Sequence, residues 1–343
     1  MERISIPKFV DSVTRQTNAD CRRIISEKGL FFGDILYDGL KVFRKRWDAA
    51  LVVVIYGALS PNRRRARMVA SHGSLITPAI FILDDLMDAS PYREGRKAFW
   101  VKHGSGETLI AALTYTNLFV EKVTSIRYRN RRLADQAMES VYLLLEGQYR
   151  DVTRNKQGVL NEEEYWRLCY EKAGAISEIG GRLAAADVEV SPEMDAIARE
   201  EASLIGILAQ VLDDILDLDD DLAQGKTSLP VILLGHTVND PWQEIKAKGI
   251  AAKIAKDADV LCNKGIDLTS KFEQNEYAVL MRDVFQCWKN FFAVLLARND
   301  WVELCRKMGA VGIETAFDLM FLEMHPDMND KEINAVFDKY RDS

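Results

Sequence analysis

The chain is short of the features that mark several large protein classes. Its five cysteines (Cys21, Cys169, Cys262, Cys287 and Cys305) are odd in number and contain no Cys-x-x-Cys pair. That excludes a disulfide framework or a thiolate zinc site, and it suits reduced thiols in the cytoplasm. Positive charge is not in excess: 45 Lys and Arg against 52 Asp and Glu leave a net charge of −7, so no nucleic-acid partner is expected. Long apolar runs are missing as well. The longest, AALVVVIYGAL from Ala49 to Leu59, is about half of what a membrane-spanning helix needs, so no integral membrane segment is expected. The first residues, MERISIPKFVDS, carry charges and no apolar signal core, so no secretory leader is expected either. Strand-like alternation is scarce, and the glycines at 104, 106, 158, 180 and 181 form no phosphate loop.

What remains is helical. Apolar residues recur at three- and four-residue spacing, and the few prolines stand where helices could end, at 61, 91, 192, 230, 241 and 326. Neither an internal repeat nor a low-complexity linker divides the 343 residues. The expected fold is all-α, one domain over residues 1–343. Its core lies between about residues 20 and 325, and a short helix follows at about 329–341, opened by an Asn329-x-x-Glu332 capping box.

Two aspartate clusters carry most of the chemical information. DDLMD (Asp84, Asp85, Asp88) ends the apolar run SLITPAIFIL, and DDILD (Asp213, Asp214, Asp217) ends SLIGILAQVL. On a helix, positions i and i+4 share a face, so Asp84 with Asp88, and Asp213 with Asp217, can each present two carboxylates to one point. Like charges at the mouth of an apolar helix are unfavourable unless cations neutralise them. All-oxygen donors suit Mg²⁺ or Mn²⁺, and Mg²⁺ commonly bridges a few carboxylates to substrate phosphates. One such cluster would read as a solvated helix end. Two, each closing an apolar helical run, read as a metal-assisted site.

With these motifs the sequence resembles the trans-isoprenyl diphosphate synthases, the polyprenyl synthetase family of the class I terpenoid synthase fold. The resemblance extends through ASPYREGRKAFWVKHG after the first cluster, GQYRD at Gly147–Asp151, EKAG around Lys172, AQVLDDILD, and DLAQGKTSLP. It implies a helical bundle with a deep central pocket, a homodimer, and three Mg²⁺ ions acting on an allylic prenyl diphosphate. Asp84 and Asp88 would bind two ions and Asp213 the third, with Asp217 supporting, and Asp85 and Asp214 complete the catalytic clusters. The substrate diphosphate would be held by Arg93, Lys172 and Lys226, with Gln210 near the cation and Arg44 and Arg46 nearby. Ile80 and Ala79, where relatives place a bulky aromatic, suggest room for a C15–C20 chain, with Phe81 turned elsewhere.

The departures fall on the side that would hold the second substrate, isopentenyl diphosphate. Glu94 replaces the second arginine of the pair, Trp100 the histidine of His-xxx-Gly, and Phe43 the lysine of Gly-Gly-Lys. Leu83, Ala173 and a missing loop after DDILD are further differences. A carboxylate repels a diphosphate. The expectation is therefore an enzyme that ionises an allylic diphosphate and cyclises or quenches the cation, or passes it to another acceptor such as an indole or amine, as a prenyl-synthase-like terpene synthase. The alternatives are a chain-elongating synthase of the farnesyl or geranylgeranyl type, and a non-catalytic partner subunit. Phe81, Phe99, Trp100 and Tyr149 are candidates for steering a cation.

Overall fold

The structure, a computed structural model, describes residues 4–125, 133–153, 161–235, 240–322 and 328–341. Among them the only strands form one two-residue antiparallel pair, Tyr92–Arg93 with Arg96–Lys97; the remaining elements are helices. The helix Trp47–Leu59 is apolar on every face, and Ala49, Val52, Ile55 and Tyr56 are all buried, as expected for the centre of a bundle. It packs against Arg63–Gly73, Ala175–Val188 and Glu276–Ala297.

The longest helix, Pro192–Leu216, follows Ser191, whose side chain accepts from Met194 N, with proline in the first turn. Its first half, through Ala198 and Ala202, joins one hydrophobic cluster with Val54, Ile55 and Leu183. Its second half, through Leu208, Val211 and Leu212, joins another with Phe285, Trp288 and Leu304. It crosses Ala175–Val188 closely: a Cβ on Gly181 would lie 2.4 Å from the Ala198 carbonyl oxygen, so glycine is required there. A single π-helical stretch, Tyr170–Gly174, interrupts the path from Glu162–Cys169 into Ala175–Val188 and carries Lys172. Such widened turns re-aim one side chain without breaking the helix.

At the C-terminal end, Asp330–Arg341 is helical, and Asn329 and Glu332 exchange side-chain to backbone hydrogen bonds in both directions. One feature departs from the sequence reading. The stretch Arg63–Met87 is long and apolar enough to cross a membrane by length and composition. In the fold, 72% of its apolar window is buried inside the protein, where it serves as core. The stretch exceeds the Ala49–Leu59 run because two consecutive helices meet with only Ser74 and Leu75 between them.

Candidate active site

A cavity of about 840 Å³ opens between the two hydrophobic clusters, and both aspartate motifs stand in its wall. Helical periodicity explains this. Thr77, Phe81, Asp84 and Asp88 fall on one face of their helix, and Glu201, Ile205, Ala209 and Asp213 on one face of theirs; all eight line the cavity. The deeper wall is largely apolar, with Val54, Ile176, Leu280 and Phe285 among its residues.

The first cluster is charge-matched. Arg93 Nε donates to Asp85 Oδ1 at 2.8 Å, and its Nη2 donates to Asp84 Oδ2 at 3.1 Å. Gln148 Nε2 donates to Asp84 Oδ1 at 2.9 Å, while Lys172 Nζ lies 3.7 Å from the same oxygen and donates to Asp151. Lys226 reaches across from the loop after the second motif to donate to Asp88 Oδ2 at 2.7 Å. Burial works to raise the Asp84 carboxyl, but the charges of Lys172 and Arg93 and the Gln148 hydrogen bond outweigh it and hold the group below its ordinary value.

The second cluster is not charge-matched. Burial, with the charges of Asp221 and Asp84 adding to it against Arg93, pushes Asp213 up to about 6. Burial together with Asp213 and Asp221 pushes Asp217 up to about 9. Asp214 also rises to about 6 through burial, and it serves the scaffold by accepting from Leu229 N at 3.0 Å and Gln210 Nε2 at 2.8 Å. Asp219 is likewise committed, to Trp242 Nε1 and Arg306 Nε. Among the described residues no three His, Cys, Asp or Glu side chains converge closely enough to hold an ion unaided. The donor set still fits hard cations: uncompensated carboxyls face a charge-matched cluster across an open cavity. Ions there would complete their coordination from phosphate oxygens rather than from protein alone.

The structure thus brings Asp84, Asp85, Asp88, Arg93, Lys172, Gln210, Asp213, Asp214, Asp217 and Lys226 to one cavity. Arg44 and Arg46 are not in its wall. Arg46 is 2% exposed and forks onto Asp48 at 2.8 and 3.0 Å, with a further bond to the Ser74 carbonyl, so its charge is spent internally. Asp48, also held by Thr77 Oγ1 at 2.7 Å, is the member of that pair that faces the cavity. Two further expectations need correction. Phe81 does line the cavity, beneath the Arg93 guanidinium at 4.9 Å, because it lies three residues before Asp84 on the same face. Trp100 does not line it; its Nε1 donates to the Ser90 carbonyl and ties down the loop after the first motif. Phe99 is buried elsewhere and Tyr149 is exposed. The sequence reading did not single out Gln148, Asp151, Glu201 or Glu314, although GQYRD contains the first two.

The sequence profile of the polyprenyl synthetase family matches residues 35–260, two thirds of the chain, including both aspartate clusters, Arg93, Lys172 and Lys226. The chain belongs to that family. The geranylgeranyl diphosphate synthase of Methanosarcina mazei is 29% identical to this chain over 206 residues, 55% of this chain and 62% of that enzyme. The match therefore spans less than two thirds of the relative's length. A geranylgeranyl pyrophosphate synthetase from Geoglobus acetivorans superposes with a TM-score of 0.72 at 17% identity, covering 83% of this chain and 98% of that one. A polyprenyl synthase from Caulobacter crescentus, solved with calcium and isoprenyl diphosphate, gives 0.70 at 15% identity, over 82% and 97% of the two chains. At such identities the structural likeness is one of fold.

Proposed function

We propose that this protein ionises an allylic prenyl diphosphate, of C15–C20 length, and releases pyrophosphate in transferring the prenyl group. The observation that carries this reading is the cavity itself. Arg93, Lys172 and Lys226 stand between two facing aspartate clusters, above a predominantly apolar pocket. Mg²⁺ ions held by Asp84, Asp88, Asp213 and Asp217 would neutralise charge on the leaving diphosphate. Arg93 presents a planar fork and Lys172 and Lys226 point charges; all three would turn from their aspartates to the diphosphate oxygens. The apolar wall shields the allylic cation from water.

Most of the relatives' names are those of prenyl diphosphate synthases, and they favour elongation with isopentenyl diphosphate over the cyclising reading. A second reading, transfer to a different acceptor, is supported by Glu94 and Glu314, which face the cavity where a second anion would need cations. An exposed apolar face on Ser105–Val123 and Leu133–Thr153 (Ile110, Leu113, Tyr142, Leu145) supports a homodimer, and five cysteines outside any disulfide support a cytoplasmic setting.

The test is a product assay with purified protein, Mg²⁺ and geranyl, farnesyl or geranylgeranyl diphosphate, each with and without isopentenyl diphosphate. Mg²⁺-dependent pyrophosphate release is expected. Longer prenyl diphosphates formed only with isopentenyl diphosphate would select the elongating reading, and hydrocarbon or terpene alcohol from the allylic substrate alone the cyclising one. Absence of pyrophosphate release with every substrate would refute the proposal.

A further inference from the structure

The apolar end of the cavity holds one buried carboxyl that allylic ionisation does not use. Glu201 precedes Asp213 on the helix Pro192–Leu216 by about 18 Å along the axis, at the usual helical rise. Ala198 and Ile197 continue the same face beyond it, but neither lines the cavity. On this helix the cavity therefore ends at Glu201, at the reach of a C15–C20 tail whose diphosphate lies beside Asp213. The helix of the first aspartate cluster offers no large plug, since its wall residues before Phe81 are Ile80 and Thr77.

Glu201 is pinned. Its Oε1 lies 2.6 Å from Thr269 Oγ1, which is also 2.9 Å from the Gly265 carbonyl of the helix Ile250–Thr269. A hydroxyl has one hydrogen and cannot donate to both oxygens. A protonated Glu201 that donates to Thr269, with Thr269 donating to Gly265, satisfies the whole chain. Burial favours that neutral form. The second oxygen, Oε2, is then left as a buried acceptor without a donor among the described residues. The deep wall is otherwise largely hydrocarbon, with Val54, Leu280 and Phe285.

A prenyl chain long enough to reach Glu201 presses hydrocarbon onto an oxygen that needs a donor. The chain supplies none, and it shuts out the water that would. Pushing the carboxyl aside breaks its bond to Thr269. The penalty on an over-long tail thus comes from polarity and fixation rather than from bulk. A flexible hydrocarbon side chain of similar length would carry neither cost.

We propose that Glu201 sets the longest prenyl tail this cavity accepts, acting as a fixed polar floor. The inference rests on the prenyl diphosphate reading above and narrows its substrate to tails that end short of Glu201.

The test uses the full chain with Mg²⁺ and three S-thiolodiphosphates, which resist ionisation: farnesyl (C15), geranylgeranyl (C20) and geranylfarnesyl (C25). Each is titrated calorimetrically. The wild type should bind the C25 analogue at least about tenfold more weakly than the tighter of the other two, the scale of one buried acceptor left without a donor. Glu201→Met, unbranched and of similar length but apolar, should close most of that gap. Glu201→Gln, which keeps a polar group and a bond to Thr269, should retain it. The ratio of affinities within each protein is the readout, so a general loss of affinity does not imitate the effect. Three results would each overturn the floor while the C15 and C20 analogues bind: no gap in the wild type, a gap retained by a Glu201→Met protein folded by circular dichroism, or a gap closed equally by Glu201→Gln. Failure of the wild type to bind any of the three analogues would overturn the ionisation reading, and the floor with it.

Discussion

Asp84→Ala is expected to lower Mg²⁺-dependent pyrophosphate release by at least roughly 10²–10³-fold, the cost of losing one strong electrostatic contact to a transition-state charge. The fold should survive the change, for a reason visible in the ion pairs. Arg93 keeps Asp85 when Asp84 is removed, and Lys172 keeps Asp151, so no buried cation loses its only partner. Asp213→Ala should impair turnover on the same scale. Without metal it should not weaken the protein, because Asp213 is one of a group of carboxyls whose mutual repulsion and burial already push Asp217 up to about 9. A coupled pyrophosphate assay and a thermal melt on the same samples separate the two effects. Wild-type turnover in a folded Asp84→Ala protein would remove the first aspartate cluster from the chemistry.

Glu201→Gln is expected to stabilise the protein increasingly as pH rises. Glu201 stands on the cavity-facing stripe three helical turns before Asp213, and it is 1% exposed. Its Oε1 is bonded to Thr269 Oγ1 at 2.6 Å and its Oε2 has no partner. Burial raises the carboxyl from 4.5 to about 8, against a small opposing effect of the Thr269 hydrogen bond. Below pH 4.5 native and unfolded chains are both protonated at this position, and it contributes no penalty. Between pH 4.5 and 8 the unfolded chain ionises while the native one keeps its proton, so the wild type loses stability over that window and the full penalty stands above it. The penalty is on the order of 4 kcal/mol. Glutamine keeps a hydrogen bond to Thr269 and carries no such penalty, against a pH-independent cost of about 1–3 kcal/mol for an unpaired amide N–H. Denaturant melts of both proteins at pH 5, 7 and 9 should show a stability difference that moves in favour of Glu201→Gln with pH. A pH-independent difference would mean that Glu201 ionises freely in the native protein.

The all-α character was legible because apolar residues at helical spacing dominate the chain and strand patterns are nearly absent. The aspartate faces were legible for the same reason: a spacing of four residues fixes which side chains share a face. Resemblance singled out Arg93, Lys172 and Lys226, and the structure places all three in the wall of one cavity. What could not be read was partnership between distant segments. Nothing in KVFRKRW says that Arg46 will be consumed by Asp48, or that the backbone N–H of Arg44 will be bound by Glu314. Glu94 was seen as a missing arginine, but its bond from the backbone N–H of Glu314 depends on a contact spanning 220 residues. Trp100 was over-read, because a position matched in a motif need not face the cavity when its own indole N–H is bound to Ser90.

The central claim is that the two aspartate clusters jointly hold metal ions bridging one allylic diphosphate. Anomalous diffraction from crystals grown with Mn²⁺ and farnesyl S-thiolodiphosphate tests it most directly. The expected map has manganese peaks beside Asp84 and Asp88 and beside Asp213, each also touching diphosphate oxygens, with Arg93, Lys172 and Lys226 turned onto the same group. Manganese absent from both clusters while the thiolodiphosphate occupies the cavity would contradict the account.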